Sequence, residues 1–334
     1  MERKEIIERL KEGSPEELFK EADRVRKTYL DDEVHIRGII EFSNYCCRSC
    51  LYCGLRRENE NIRRYRMLPD EIIKLANEIT QCGVKTIVLQ SGDDFGFSQK
   101  VLCRIIEKIK EENPEIAITL SIGERPLDDY KAFKDVGADR YLLKHETANL
   151  KLYERFHPGQ TLKRRLQILE YLKKLDYQIG AGNIVGLPNQ TLEDLADDIL
   201  LMKRLDVDMA GIGPFISQKD TPLRNHPSGN LDLTLKVLAL TRIVTKYTHL
   251  PATTALSTLN PTYGQVLAFR SGANVIMPDF TPEEERKNYI IYDNKTRVDL
   301  EKAKTIILEA GRKISTARGD SLKWKRHQKA FASI

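Results

Sequence analysis

A chain of 334 residues with 41% hydrophobic and 31% charged residues can bury a large core and still dissolve in water, and it suits one large α/β barrel or two ordinary domains. Its 54 basic against 49 acidic residues, a net +5, is too mild to mark a polyanion-binding protein, and no apolar run is long enough for a membrane span. The opening MERKEIIERL reads as an amphipathic helix start without the apolar core of a signal peptide, so a cytoplasmic protein is expected, with no membrane and no nucleic-acid partner.

Residues 1–30 read as a helical extension. Ser14-Pro15-Glu16-Glu17 is a strong helix start, with Ser as cap, Pro at the first position and acids in the first turn. Leu18, Phe19, Ala22 and Val25 then make an apolar face. Beyond it, short apolar runs alternate with amphipathic helices. The runs are Val34–Phe42, Thr86–Gln90, Ile116–Ile122, Arg140–Lys144, Gln178–Val185, Met209–Pro214, His249–Thr254 and Asn274–Met277. Helices are expected over Pro69–Gln81, Lys100–Glu111, Leu162–Leu175, Leu192–Leu205 and Thr234–Thr245.

Eight strands with crossover helices predict an α/β chain built as a (β/α)8 TIM barrel over 31–310, with a doubly wound sheet in two domains as the alternative. The barrel explains better why unusual residues cluster at the run ends: Ser91-Gly92-Asp93-Asp94, His145-Glu146-Thr147, Gly186-Leu187-Pro188, Thr253-Thr254 and Met277-Pro278. Barrel active sites form at those ends. Residues 311–334 carry an excess of basic side chains and read as a solvated tail or a docking surface for an acidic electron donor. No internal repeat is evident, and a monomer is expected.

Cys46, Cys50 and Cys53 follow the first run with the spacing CxxxCxxC. Three thiolates so placed can hold three corners of one [4Fe-4S] cluster and leave the fourth iron open to a small molecule. A structural zinc site is the alternative, but it lacks a fourth ligand nearby, the nearest histidine being His35 on a predicted strand. Cys47 is expected to point away, and Cys82 and Cys103 to be core thiols. Arg48, Arg56 and Arg57 supply positive charge near the motif or form a solvated rim.

This motif, with Tyr52 just before the last cysteine, resembles the radical S-adenosylmethionine (SAM) enzymes. The resemblance implies SAM as second cofactor, bound at the open iron and cleaved by one electron to methionine and a 5′-deoxyadenosyl radical. Gln90, Ser91 and Gly92 then correspond to the second-strand segment that receives the SAM amino group, although Ser-Gly-Asp-Asp is also a common loop. Glu146 can take the amino or ribose hydroxyl groups, and Arg165 the carboxylate, or the two can form a structural ion pair. Gly186-Leu187-Pro188-Asn189-Gln190-Thr191 resembles a family GLPGQT stretch with Asn189 in place of Gly.

Longer segments resemble one branch, the FeFe-hydrogenase maturase family HydE. They include Arg64-Tyr65-Arg66-Met67, the run Ala138 to Asn149, Gly211 to Ile216, Pro251 to Ala255 and Gly272 to Pro278. The resemblance runs over about residues 30–315. It implies a mononuclear iron substrate with cysteine, cyanide and carbon monoxide ligands, processed toward the H-cluster diiron unit. It also implies a low-potential electron donor, flavodoxin or ferredoxin, and a hydrogenase maturation scaffold that receives the product. Arg37, Thr119, Thr253, Thr254, Met277, Arg286, Tyr289 and Tyr292 match substrate-cavity positions. No cysteine follows Cys103, so the second cluster of some members is not expected. A methylornithine synthase-like mutase acting on an amino-acid-derived substrate, and a non-catalytic iron–sulfur protein, are the alternatives.

Overall fold

The computed structural model describes residues 1–12 and 14–324. Two helices, Arg3–Glu12 and Pro15–Leu30, precede the sheet. The second begins at Pro15 with Glu16 and Glu17 in its first turn, where a fixed φ and negative charge both favour a helix N-terminus. Ser14 makes no side-chain capping bond, so that part of the expected cap is missing. Leu18 and Ala22 are buried as expected. Arg26 is buried on the same helix, its guanidinium 2.7 Å from Asp23 and 2.9 Å from Asp32.

The strands are β1 (Glu33–Ile36), β2 (Gly38–Ser43), β3 (Thr86–Ser91), β4 (Ala117–Ser121), β5 (Arg140–Leu142), β6 (Gln178–Ala181), β7 (Ile184–Val185), β8 (Met209–Ala210), β9 (Gly213–Pro214), β10 (Val275–Ile276) and β11 (Lys313–Ile314). Six form a central parallel sheet in the order β2-β3-β4-β5-β6-β8, while β1 lies between β10 and β11, and β7 pairs with β9. Parallel neighbours need crossovers, which the helices Pro69–Gln81, Gln99–Glu112, Leu127–Asp135, Leu162–Lys174 and Leu192–Leu205 supply. The chain is therefore α/β. Its sheet strands bury both faces, as parallel strands covered by helices do: all six residues of β2 and four of β3 are buried. Single parallel bridges continue the sheet beyond β8, joining Met209 to His249, Pro251 to Val275, and Ile39 to Asp279.

Several runs are shorter than their apolar content suggests. Val34–Phe42 divides at Arg37. Gln178–Val185 and Met209–Pro214 each break in the middle, where Gly182 and Gly211 approach so closely that a Cβ on Gly182 would meet the Gly211 carbonyl oxygen at 2.0 Å. His249–Thr254 contributes only bridges at His249 and Pro251, since Pro251 has no N–H for the ladder, and the chain enters a helix at Thr254.

The basic segment after Arg312 is not a solvated tail as far as Trp324. β11 pairs with β1, and the chain then runs beneath the N-terminal ends of the strands. Arg318 meets Asp139 at 2.6 Å, Asp320 meets Arg140 at 2.7 Å, and Lys323 meets Asp206 at 2.9 Å. Charges on the sheet's underside, the half-buried Asp139, the exposed Asp206 and the buried Arg140, pair with the segment's own. Lys325, Arg326 and Lys329 lie outside the described residues. Among the described residues, no helix is long and apolar enough to cross a membrane.

Candidate active site

The loop after β2 carries the three cysteines, and Arg64 holds it in shape. The Arg64 guanidinium donates to the carbonyls of Asn44, Leu55, Arg56 and Asn59 at 2.5, 3.0, 2.7 and 3.1 Å, so one side chain fixes both ends of the segment. Gly92, at the end of β3, packs directly on this loop. A Cβ there would stand 2.3 Å from the Tyr45 carbonyl oxygen and 2.7 Å from Cys46 Cβ, closer than any side chain tolerates.

Cys46, Cys50 and Cys53 line one cavity of about 380 Å³ at the C-terminal ends of the strands. All are free thiols. Burial pushes Cys46 up to about 12, helped by Asp93 and Cys53, and Cys53 up to about 11. Cys50 is raised by burial and by its neighbours Cys53 and Cys46. Burial of their sulfurs and neighbouring charge make deprotonation of these half-buried thiols costly, a cost that the cationic core of an iron–sulfur cluster would offset by displacing the protons, so the residues present fit such a group. Among the described residues no three His, Cys, Asp or Glu side chains converge as ligands of a single ion would. A cubane asks for something different, because each of its cysteines binds a different iron.

The other lining residues surround the thiols. Glu146 sits in a left-handed conformation, φ +61°, just past β5. Burial opposes its ionisation, but Lys144 and Arg165 outweigh burial and hold its carboxyl below the ordinary range. Lys144 Nζ is 3.0 Å from Oε2. That oxygen is buried and has no partner of hydrogen-bond geometry among the described residues.

Arg165 does not pair directly with Glu146. Its Nε donates to Glu124 Oε1 at 2.7 Å and its Nη1 to the Lys144 carbonyl at 2.8 Å. Arg48, read as a rim charge, donates to Asp93 at 2.6 Å and lies 3.7 Å from Glu124. Arg48, Asp93, Glu124 and Arg165 thus form one chain of alternating charge, while Arg57 is the solvated rim residue, 68% exposed in its side chain.

Asp94 accepts two bonds from Arg66 at 2.8 Å and one from Ser43 at 2.6 Å, which fixes the loop after β3. Tyr52 bonds His157 at 2.8 Å, and Gln160 Oε1 stands 3.9 Å from Cys50 Sγ.

The structure brings most sequence-predicted residues together. The three cysteines, Tyr52, Gln90, Ser91, Gly92, Glu146, Arg165, Thr253, Thr254, Met277, Tyr289 and Tyr292 all line the same cavity. Arg37 and Thr119 do not. They line a separate space of about 10 Å³, because Arg37 sits at the junction of β1 and β2. Its guanidinium lies 2.7 Å from Met209 Sδ and 3.4 Å from the Gly319 carbonyl. Arg286 also stands outside the cavity lining and pairs with Glu283 in its own helical turn. Cys82 is exposed and Cys103 half-buried, so neither is a fully buried core thiol.

Sequence reasoning missed Glu124, Lys144, His157 and the pair Glu41–Lys295. Glu41 carried a signal: it is the lone acid near the end of an apolar run. Lys144 did too, since it ends an apolar run two residues before Glu146. Burial raises the Glu41 carboxyl to about 7, against the pull of Lys295.

The radical SAM superfamily matches residues 40–202, from β2 through the helix ending at Leu205. The chain is 52% identical over 283 residues to the [FeFe] hydrogenase maturase subunit HydE of Thermotoga maritima, covering 85% of this chain and 80% of that one. This chain belongs to the HydE family. Like other radical SAM proteins, a HydE-family chain is expected to use an iron–sulfur cluster and SAM. More distant similarity joins this HydE-family chain to the 3-methylornithine synthase of Methanosarcina acetivorans, 27% identical over 83% of this chain and 78% of that one. The crystal structure of methylornithine synthase (PylB) is similar with a TM-score of 0.81 at 25% identity, covering 91% of this chain and 90% of that one.

Proposed function

We propose that this protein is a radical SAM maturase acting in assembly of the FeFe-hydrogenase H-cluster, on a small iron–cysteine species with carbon monoxide and cyanide ligands. The observation that carries the reading is the convergence of Cys46, Cys50, Cys53, Glu146 and Arg165 on one cavity in a chain 52% identical to a HydE. On this reading the cavity lies inside a closed (β/α)8 barrel. The parallel bridges at His249, Pro251 and Asp279, which lead from β8 back to β2, support that closure.

Cys46, Cys50 and Cys53 would hold one [4Fe-4S] cluster with an open iron. When bound with SAM, that cluster supplies the electron that releases methionine and a 5′-deoxyadenosyl radical. The protein's own residues orient and shield. Glu146, kept ionised by Lys144, accepts from the SAM amino group or ribose hydroxyls. Arg165, already anchored by Glu124 and the Lys144 carbonyl, offers its remaining donors to a carboxylate. Leu142, Ile184, Pro214 and Phe215 line the same cavity and keep water from the reacting atoms. Thr253, Thr254, Met277, Tyr289 and Tyr292 form the substrate side. Reduction requires a low-potential donor of the flavodoxin or ferredoxin type.

The test is anaerobic reconstitution with iron and sulfide, reduction with dithionite in the presence of SAM, and detection of 5′-deoxyadenosine. The nucleoside is expected from the unmodified protein and not from Cys50→Ala. Added iron–cysteine complex should then be consumed. No nucleoside from a preparation with a verified, SAM-binding four-iron cluster overturns the reading. Methylornithine formed from lysine would move the chain to the mutase branch.

A further inference from the structure

Glu41 and Lys295 lie 254 positions apart yet meet in the cavity wall. Glu41 projects from β2 and its side chain is 3% exposed; that of Lys295 is 16% exposed. Lys295 Nζ pairs with Glu41 Oε1, stands 4.0 Å from Asp279 Oδ2 and lies 5.0 Å over the Tyr289 ring. The second Glu41 oxygen, Oε2, is buried with no hydrogen-bond partner among the described residues.

The corner therefore holds two carboxyl groups against one ammonium. The nearby Arg286 is engaged by Glu283. A buried acceptor oxygen left unsatisfied beside them calls for a cationic donor. Lys295, with one close partner for three N–H groups, keeps donors to spare. A pair that served only to pin its loop onto β2 could be replaced by apolar side chains without leaving a carboxylate oxygen stranded. β2 is separated from β5, past which Glu146 emerges, by β3 and β4, so this corner lies away from Glu146 and borders the SAM side only through Gln90, the register partner of Glu41 on β3.

We infer that Glu41 and Lys295 form a subsite for the amino-acid end of the substrate, Glu41 accepting from its ammonium group and Lys295 donating to its carboxylate. The inference rests on the reading of the cavity as the substrate chamber. It gives the cysteine moiety, rather than the metal with its diatomic ligands, the task of setting the substrate's orientation.

Three small probes separate this from a structural pair. S-methyl-L-cysteine carries both groups, 2-(methylthio)ethylamine lacks the carboxylate, and 3-(methylthio)propionate lacks the amine. Binding is followed by ligand-observed NMR titration to the reconstituted protein with SAM saturating. The unmodified protein is expected to bind S-methyl-L-cysteine about tenfold or more tightly than either fragment, the scale of a charge-assisted bond. In Glu41→Gln the penalty for lacking the amine should shrink to about twofold, with the carboxylate preference kept. In Lys295→Met the pattern should reverse.

The probe comparison on the unmodified protein needs no variant to fold. Equal binding of the three probes, no binding of S-methyl-L-cysteine, or variants that keep both preferences would each overturn the subsite. Formation of 5′-deoxyadenosine is scored in the same preparation. Its absence overturns the radical SAM reading, while its presence without probe preference overturns the subsite alone.

Discussion

The Tyr52 hydroxyl lies 2.8 Å from Nε2 of His157, and Nδ1 of that ring lies 2.8 Å from the Tyr153 carbonyl oxygen. A carbonyl can only accept, so Nδ1 carries the proton. Burial pushes His157 down to about 4, so the ring is neutral and Nε2 accepts from the Tyr52 hydroxyl. The residue before Cys53 is thereby tied to the helix Leu150–Phe156 and the residue that ends it. Replacing Tyr52 with Phe leaves Nε2 buried without a donor, at a cost of roughly 1–3 kcal/mol. The expected result in thermal denaturation is a lower midpoint, with 5′-deoxyadenosine formation reduced less than in Cys50→Ala.

The same histidine sets a pH dependence. Its ordinary value is 6.5 and its folded value about 4. Between those values the unfolded chain takes up a proton that the folded protein refuses. Stability from this group is therefore complete above pH 6.5 and lost as pH falls through about 4, a loss of at most about 3 kcal/mol. Denaturant titrations from pH 7.5 to 4.5 should show His157→Gln falling less steeply than the parent, and equal slopes would refute the assignment.

Gly92 fixes how closely β3 approaches the cysteine loop. A methyl group there must displace Tyr45 and Cys46. Gly92→Ala is expected to destabilise by about 1–3 kcal/mol and to lower iron bound per chain after reconstitution, with far-UV circular dichroism unchanged. Normal iron content would show that the loop can yield.

Arg165 has two engagements that a lysine cannot reproduce together. Arg165→Lys should weaken SAM binding by about tenfold or more, measured by equilibrium dialysis, while iron content stays at the parent level because no cysteine has changed.

Asp320 neutralises a guanidinium that is 4% exposed, that of Arg140, and also binds Gln178 at 2.8 Å. Asp320→Ala strands that charge and should cost about 3–5 kcal/mol in denaturant unfolding. Lys323→Ala removes only a partly exposed partner of Asp206 and should cost less than about 1 kcal/mol. Comparable losses would contradict the ranking.

Much of this architecture is legible locally. The cysteine spacing, the strand-end residues Ser91, Gly92 and Glu146, and the crossover helices are each announced by a short stretch of sequence. The rest depends on residues far apart in the chain. Glu124 reads as an ordinary acid until Arg165, 41 positions later, meets it. Arg37 lies in an apolar run that reads as one strand, and only its break into β1 and β2 turns the guanidinium away from the main cavity. The basic residues near the C-terminus look solvated because nothing in their own segment reveals Asp139 and Asp206, which meet them on the underside of the sheet.

The path of residues 313–321 has a consequence for how the molecule is made. The floor beneath the strands is laid by residues made only after every other strand of the sheet, and β1 can gain its second neighbour only then. A nascent chain carrying β2 through β8 presents unpaired strand edges and an uncompensated Arg140 throughout its synthesis. The order in which the chain is built is thus the reverse of the order in which its underside can be sealed, and the interval between the two is when the partly made protein is most exposed to aggregation.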